Sequence, residues 1–239
     1  MEIILIKLLL AHLLGDFVLQ PNAWVADKER LKLASGKLYL HVALHIILAF
    51  VFLANSEAWT AALLIGIFHF VIDAAKLKFQ KDNTKRTWFF IDQLLHLFTI
   101  AVVSWLYSGQ PAFWPGFIAE TKLWGIICAA LFLTMPAATI IRVVIARWIP
   151  ETPLSASADR KSLQDAGRFI GILERLLIYI FVLTGHFEAV GFLLAAKSIF
   201  RFGDLKEAQD IKLTEYVLIG TLLSFGIATV TGLLAAGLS

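Results

Sequence analysis

The chain has 239 residues, of which 59% are hydrophobic and 16% are charged, and its mean hydropathy is +0.79. Soluble domains average about 45–50% apolar and about 25% charged residues, so this composition excludes an ordinary soluble domain and indicates a polytopic membrane protein. The net charge of +3 and the pI near 9.0 do not indicate a nucleic-acid partner, because basic residues in a membrane protein mainly determine topology.

Apolar runs, several of which reach the ~20 residues needed to cross a bilayer, predict an all-α membrane bundle of about eight transmembrane spans. In chain order, the predicted spans are 3–20, 38–54, 58–76, 88–107, 122–147, 167–184, 187–202 and 214–236. The polar stretch 150–166 predicts a linker between a metal-binding half, 1–149, and a C-terminal three-helix half, 167–239.

The basic residues predict the orientation of these spans. All of the 21 Lys and Arg residues except Lys7, Lys122 and Arg175 lie in or beside the loops 21–37, 77–87, 148–166 and 203–213. These loops alternate along an eight-span chain. By the positive-inside rule they are cytoplasmic, which places both termini outside.

Four pairs of His and Asp residues stand out within the first four spans. Each pair has a spacing of four residues, which places both side chains on one face of a helix, one turn apart. The pairs are His12 with Asp16, His41 with His45, His69 with Asp73, and Asp92 with His96. This pattern predicts four two-pronged metal-ligand units on neighbouring helices.

The pairs are predicted to meet at one depth. In the first and third spans they lie near the end, and in the second and fourth near the start, so alternating spans bring all eight side chains to the same half of the bilayer. Asp at the bilayer centre costs ~2.5–3.5 kcal/mol on insertion scales, and a divalent cation would offset that cost. Eight ligands suit two or three ions; imidazole and carboxylate without thiolate favour zinc, with manganese or iron as alternatives.

A structural alternative is a set of buried His–Asp hydrogen bonds that connect the helices. Gln20 and Gln93 lie beside predicted ligands and are candidates for hydrogen bonding to them. His186 has no partner at the motif spacing and is expected to be solvated in an outer loop.

The later spans contain a few basic residues at the depth of the predicted metals. Arg168, Arg175, Lys197 and Arg201 predict a pocket for a phosphate or carboxylate. The alternative is that Arg168 and Arg201 extend to the lipid headgroups, and that Lys197 forms an internal ion pair with Glu174 or Glu215.

Three motifs resemble those of a bacterial integral-membrane family catalogued as a domain of unknown function. They are His12-Leu-Leu-Gly-Asp16-Phe-Val-Leu-Gln20, His69-Phe-Val-Ile-Asp73-Ala-Ala-Lys76 and Asp92-Gln93-Leu-Leu-His96, and Ala-Ala-Lys197-Ser-Ile-Phe-Arg201-Phe follows later. The resemblance implies a protein of the bacterial inner membrane. The pairs also resemble those of the zinc-dependent phospholipase C and single-strand nuclease group, and of inner-membrane metal-dependent hydrolases. This second resemblance implies that the eight motif residues are ligands in a phosphoester-cleaving site.

The sequence therefore favours a membrane-embedded metal-dependent hydrolase acting on a phosphoester, either a lipid or isoprenoid phosphate or another phosphorylated small molecule. In this hypothesis Asp16, Asp73 and Asp92 are the catalytic carboxylates, at a site near the cytoplasmic face. The alternatives are a di-iron oxygenase or desaturase, a metal transporter or sensor, and a purely structural scaffold. The sequence does not indicate the oligomeric state.

Overall fold

The computed structural model of the chain describes residues 2–54, 58–108, 121–148, 158–202 and 211–238. These residues are all-helical and include no strand, as predicted. Their α-helices are α1 (Glu2–Leu13), α2 (Asn22–Leu31), α3 (Gly36–Leu53), α4 (Trp59–Phe79), α5 (Lys85–Leu106), α6 (Thr121–Phe132), α7 (Met135–Ile145), α8 (Ala158–Leu183), α9 (Phe187–Phe202) and α10 (Ile211–Ala236). A π-helical turn, Leu14–Val18, continues α1, and α2 lies within a segment predicted to be a loop.

Several of these helices can cross a membrane. Among the described residues four are long and apolar enough, namely α3, α4, α5 and α10, and the pair α6 and α7, bent by 43°, would be a fifth span. On α5, Leu94, Phe98 and Trp105 are each about two-thirds exposed, as expected for a helix that faces lipid.

The prediction of eight spans was therefore too high for the described residues. The helix α1 and the π-helical turn that continues it have 12 and 5 residues, and α9 has 16. At ~1.5 Å per residue both stretches are at most about 24–26 Å long, against a hydrocarbon core of about 30 Å. The apolar stretch of α8 is interrupted by Arg168, Glu174 and Arg175.

The chain forms two compact units, Met1–Cys128 and Ala129–Ser239. This boundary falls inside α6. The linker predicted from the sequence covers 150–166, of which 150–157 lie outside the described residues. The helix α7 packs against α8 and α10 and so belongs to the second unit.

The first unit is built around a four-helix bundle. The helix α1 packs against α3 and α5, and α4 packs against the same two helices, so the four close on themselves. Buried side chains from all four, among them Leu8, Ala49, Ile65 and Ile100, form an apolar core at one end of the bundle. Bundle interiors of this kind are common positions for metal sites.

Ser35 connects α2 to the start of α3. Its hydroxyl accepts a hydrogen bond from the Lys37 amide at 3.2 Å, which caps α3, and donates to Asp27 Oδ2 at 2.7 Å. The hydrogen bonds from Ser35 and then Arg30 lower the pKa of Asp27 below its ordinary value. Ser35 is fully buried, so the start of α3 is held against α2.

In the second unit, Arg175 connects α8 to the break before α7. Its guanidinium donates to the Leu133 carbonyl at 2.7 Å, to the Thr134 carbonyl at 3.2 Å and to Ser224 Oγ at 3.2 Å. Leu133 and Thr134 form the turn before α7, which has Pro136 in its first turn. The Thr134 carbonyl also accepts a hydrogen bond from the Ala138 amide at 3.1 Å, whereas the Leu133 carbonyl, at the end of α6, is satisfied by the guanidinium. Arg175 therefore satisfies a buried helix end.

We expect Arg175→Met to lower the free energy of unfolding by about 1–3 kcal/mol, because the buried Leu133 carbonyl would lose its guanidinium donor in an apolar interior. Arg142→Met, at an exposed position of α7, is the matched control. Thermal unfolding in detergent measures the effect, and equal stability of the two variants would contradict this role.

Candidate metal centre

The bundle brings all eight motif side chains together at one level. The five histidines are at most 3% exposed, Asp92 is 2% and Asp73 is 6% exposed, and the Asp16 side chain is 11% exposed. Ligand atoms within 4.8 Å of one another form three overlapping groups: His12, Asp16, His45 and His69; His41, His69 and Asp73; and Asp73, Asp92 and His96. These buried groups can hold a metal ion.

Three imidazoles converge on one oxygen of Asp16. Asp16 Oδ1 lies 3.0 Å from His45 Nε2, 3.2 Å from His41 Nε2 and 3.6 Å from His69 Nε2. The Nε2 atoms of His41 and His69 are 3.0 Å apart. We call these four residues the Asp16 cluster.

These separations match those of a tetrahedral metal site. Zinc bonds to imidazole nitrogen and carboxylate oxygen are about 2.0–2.2 Å long, which places neighbouring tetrahedral ligands about 3.3–3.5 Å apart. The distances around Asp16 Oδ1 scatter around this value. The shortest of these contacts join residues on different helices. The ligand set is therefore formed mainly between helices, and less within each His/Asp pair of one helix.

The π-helical turn Leu14–Val18 positions Asp16. Over these five residues it takes the place of the α-helix predicted for 3–20, and His12 Nδ1 lies 3.8 Å from Asp16 Oδ2. Gly15 allows this arrangement, because a Cβ atom there would lie 2.5 Å from His45 Nε2. Such π turns occur frequently at functional sites.

The second group consists of Asp73, Asp92 and His96, which we call the Asp92 cluster. His96 Nδ1 lies 2.7 Å from the Asp92 carbonyl oxygen, which orients the ring. His96 Nε2 and Asp92 Oδ1 are buried and have no hydrogen-bond partner. Unsatisfied buried polar atoms are uncommon, so two in one cluster point to an additional ligand.

Two lysines that the sequence analysis missed lie inside the centre. Lys28 Nζ donates to Asp73 Oδ2 at 2.8 Å, and Lys76 Nζ donates to Asp92 Oδ2 at 2.9 Å. Lys76 follows Asp73 by three residues on one helix face, a spacing that could have signalled it. Lys28 comes from α2 in a predicted loop, and no sequence pattern indicated it.

Gln93 links the two clusters. Its Nε2 donates to Asp16 Oδ2 at 3.1 Å and to Asp92 Oδ2 at 3.2 Å, and its Oε1 lies 3.3 Å from His12 Nε2. The His12 ring stacks on that of His96 with centroids 5.1 Å apart. Gln20 Nε2 is buried without a partner.

A cavity of about 10 Å³ adjoins the centre, which is about the space of one water molecule. Its lining includes the imidazoles of His12, His45, His69 and His96 and the apolar side chains of Leu8, Ile65 and Ile100. The cavity therefore has polar walls on the side of the metal centre and apolar walls on the side of the core. The opposite edge is more open, since the Lys76 side chain is 27% exposed.

Of the four residues of the predicted anion pocket, the three whose side chains are described have other contacts in the second unit. Arg175 binds the carbonyls described above, and Lys197 forms an ion pair with Glu174, as in the alternative interpretation. Arg168 is exposed, with its guanidinium 5.6 Å from the Phe169 ring centroid. The side chain of Arg201 lies outside the described residues. His186 is exposed and pairs with Glu188 at 3.0 Å.

The fold and the site define a helical protein with several potential membrane spans and a buried His/Asp centre. The family model described as a protein of unknown function (DUF3307) matches residues 4–123, and the chain belongs to this family. The matched region includes all eight motif residues, Lys28 and Lys76. No curated protein and no solved structure matches the chain.

We expect Gly15→Ala to weaken metal binding by about 10- to 100-fold, comparable to the loss of a group that orients a ligand, because the new methyl group displaces the His45 ring. Gly36→Ala is the control, since a Cβ atom at Gly36 meets nothing within 4 Å. Zinc titration by calorimetry gives both affinities, and equal values would show that Gly15 does not shape the site.

Proposed function

We propose that this chain is a membrane-embedded, metal-dependent hydrolase that cleaves a phosphoester. The main support is the convergence of three imidazole nitrogens on Asp16 Oδ1 inside an apolar bundle. A neutral imidazole is a good ligand for a divalent ion, and a buried carboxylate needs a positive partner.

The metal is proposed to be zinc, held by Asp16, His41, His45 and His69. The set contains only nitrogen and oxygen donors, which also accept manganese or iron. The Asp92 cluster is a second position for a cation, next to the first through Gln93. His12 lies between them and completes the nitrogen donors of the centre.

A bound zinc ion lowers the pKa of its water to ~7 and polarises phosphoryl oxygens. The protein's own side chains supply a proton acceptor and the attraction for the substrate. Asp16 Oδ2 and Asp92 Oδ2 face the Gln93 amide at the more open edge, where a carboxylate can accept a proton from the attacking water. Lys76 lies at the same edge and can attract an anionic substrate.

We propose a lipid or isoprenoid phosphate as the substrate, because the centre lies in a bundle whose outer surface is apolar. The positively charged segments 21–37 and 77–87 flank the same end, which supports placing the centre near the cytoplasmic face of a bacterial inner membrane. Anionic headgroups would be attracted to this end.

Transport of the metal is less well supported. A transporter needs a polar path toward both faces. The side chains beyond the histidines are apolar and buried, including Leu8, Ile65, Ile100 and Val103. The described ligands lie at one level, which suits a site reached from one side.

The test uses detergent-purified full-length protein, with its metal content measured by elemental analysis and its activity on phospholipids and polyprenyl phosphates. We expect His45→Ala to lose both metal and activity, because it removes a ligand of the Asp16 cluster. His186→Ala, in an exposed position, should keep both. Metal-loaded protein inactive on the whole panel would contradict hydrolysis, and protein that binds no metal would contradict the metal centre.

A further inference from the structure

The charges inside the centre are unequally distributed between the two clusters. Asp73 and Asp92 each accept a hydrogen bond from a lysine ammonium, at 2.8 and 2.9 Å. The side chains of Lys28 and Asp73 are 9% and 8% exposed, so this pair is withdrawn from solvent. The observed contacts of Asp16 are imidazole and amide groups.

We infer that the ammonium groups of Lys28 and Lys76 act as built-in counterions that restrict the centre to one tightly bound divalent ion. That ion occupies the Asp16 cluster, and the Asp92 cluster takes a second ion only weakly. The inference rests on the proposed metal centre and specifies its stoichiometry, which the sequence predicted to be two or three ions.

The physical reason is repulsion between cations at short range. A buried carboxylate that already has an ammonium partner gains less from a metal ion, and the ammonium repels that ion in a medium of low dielectric constant. The carboxylate of Asp16 has only neutral donors when its imidazoles are uncharged, so it has the most to gain from a divalent ion.

The ligand atoms for a second ion are nevertheless present. Asp92 Oδ1 and His96 Nε2 are both buried and unpartnered, while Lys76 and Gln93 bind the other carboxylate oxygen, Oδ2. Removal of the lysine charges should therefore allow a second metal ion to bind to ligand atoms that are already in place. Without a metal, the same removal leaves buried carboxylates unpaired and should destabilise the fold.

The experiment is a titration of chelator-stripped, full-length protein with Co²⁺, followed by calorimetry and by the visible absorption of the bound ion. We expect the wild-type protein to bind one equivalent tightly. The double variant Lys28→Met/Lys76→Met should bind a second equivalent at least tenfold more tightly than the wild type does, and Co²⁺ should raise its Tm more. The variants Lys28→Arg and Lys76→Arg keep the charge and should resemble the wild type.

The control is Lys85→Met, which removes an ammonium half-exposed to solvent and paired with Glu29 and Asp82. Two equally tight ions in the wild type, or an unchanged or weaker second equivalent in the double variant, would overturn the inference and leave the metal centre intact. If the double variant does not fold, the stoichiometry of the wild type and of the Arg variants still decides whether the centre binds one ion tightly. Absence of any bound Co²⁺ in the wild type would contradict the proposed function itself.

Discussion

The burial of Asp16 within an apolar helix bundle is the constraint on which the rest of the centre depends. A carboxylate removed from water needs close positive or hydrogen-bonding partners, and this one is surrounded by the imidazoles of His41, His45 and His69. The π-helical turn directs Asp16 to that position, and Gly15 leaves room for the His45 ring. These features support the proposal that Asp16 and the three imidazoles hold one metal ion.

The carboxylates of Asp73 and Asp92 have lysine ammonium groups as partners, whereas the partners of Asp16 are imidazoles. This difference divides the centre into two clusters. Lys28 connects α2 to Asp73 on α4, and Lys76 connects α4 to Asp92 on α5. The short helix α2 thus belongs to the site as well as to the surface of the bundle, held also by the hydrogen bond between Ser35 and Asp27. The apolar core closes the centre on one side. On the other side, the half-buried Lys76 and Gln93 leave it more open.

Periodicity and residue type predicted the helical class and the grouping of the His and Asp residues, because both depend on local spacing and on the alternation of helices. They overestimated the number of spans, since an apolar run does not reveal that the first helical stretch ends at Val18 or that α8 contains charged groups with internal roles. Lys28 was missed because its partner is 45 residues away. Arg175 was assigned to an anion pocket because the break at Leu133 and Thr134, which its guanidinium caps, is not visible in the local pattern.

X-ray absorption at the zinc edge on purified, zinc-loaded full-length protein tests the central claim most directly. We expect the zinc to have nitrogen and oxygen neighbours at about 2.0–2.1 Å, with the multiple scattering of three imidazoles, and we expect Asp16→Asn/His45→Ala to lose that signature. An identical spectrum from this double variant would contradict the claim, as would a purified protein that retains no zinc.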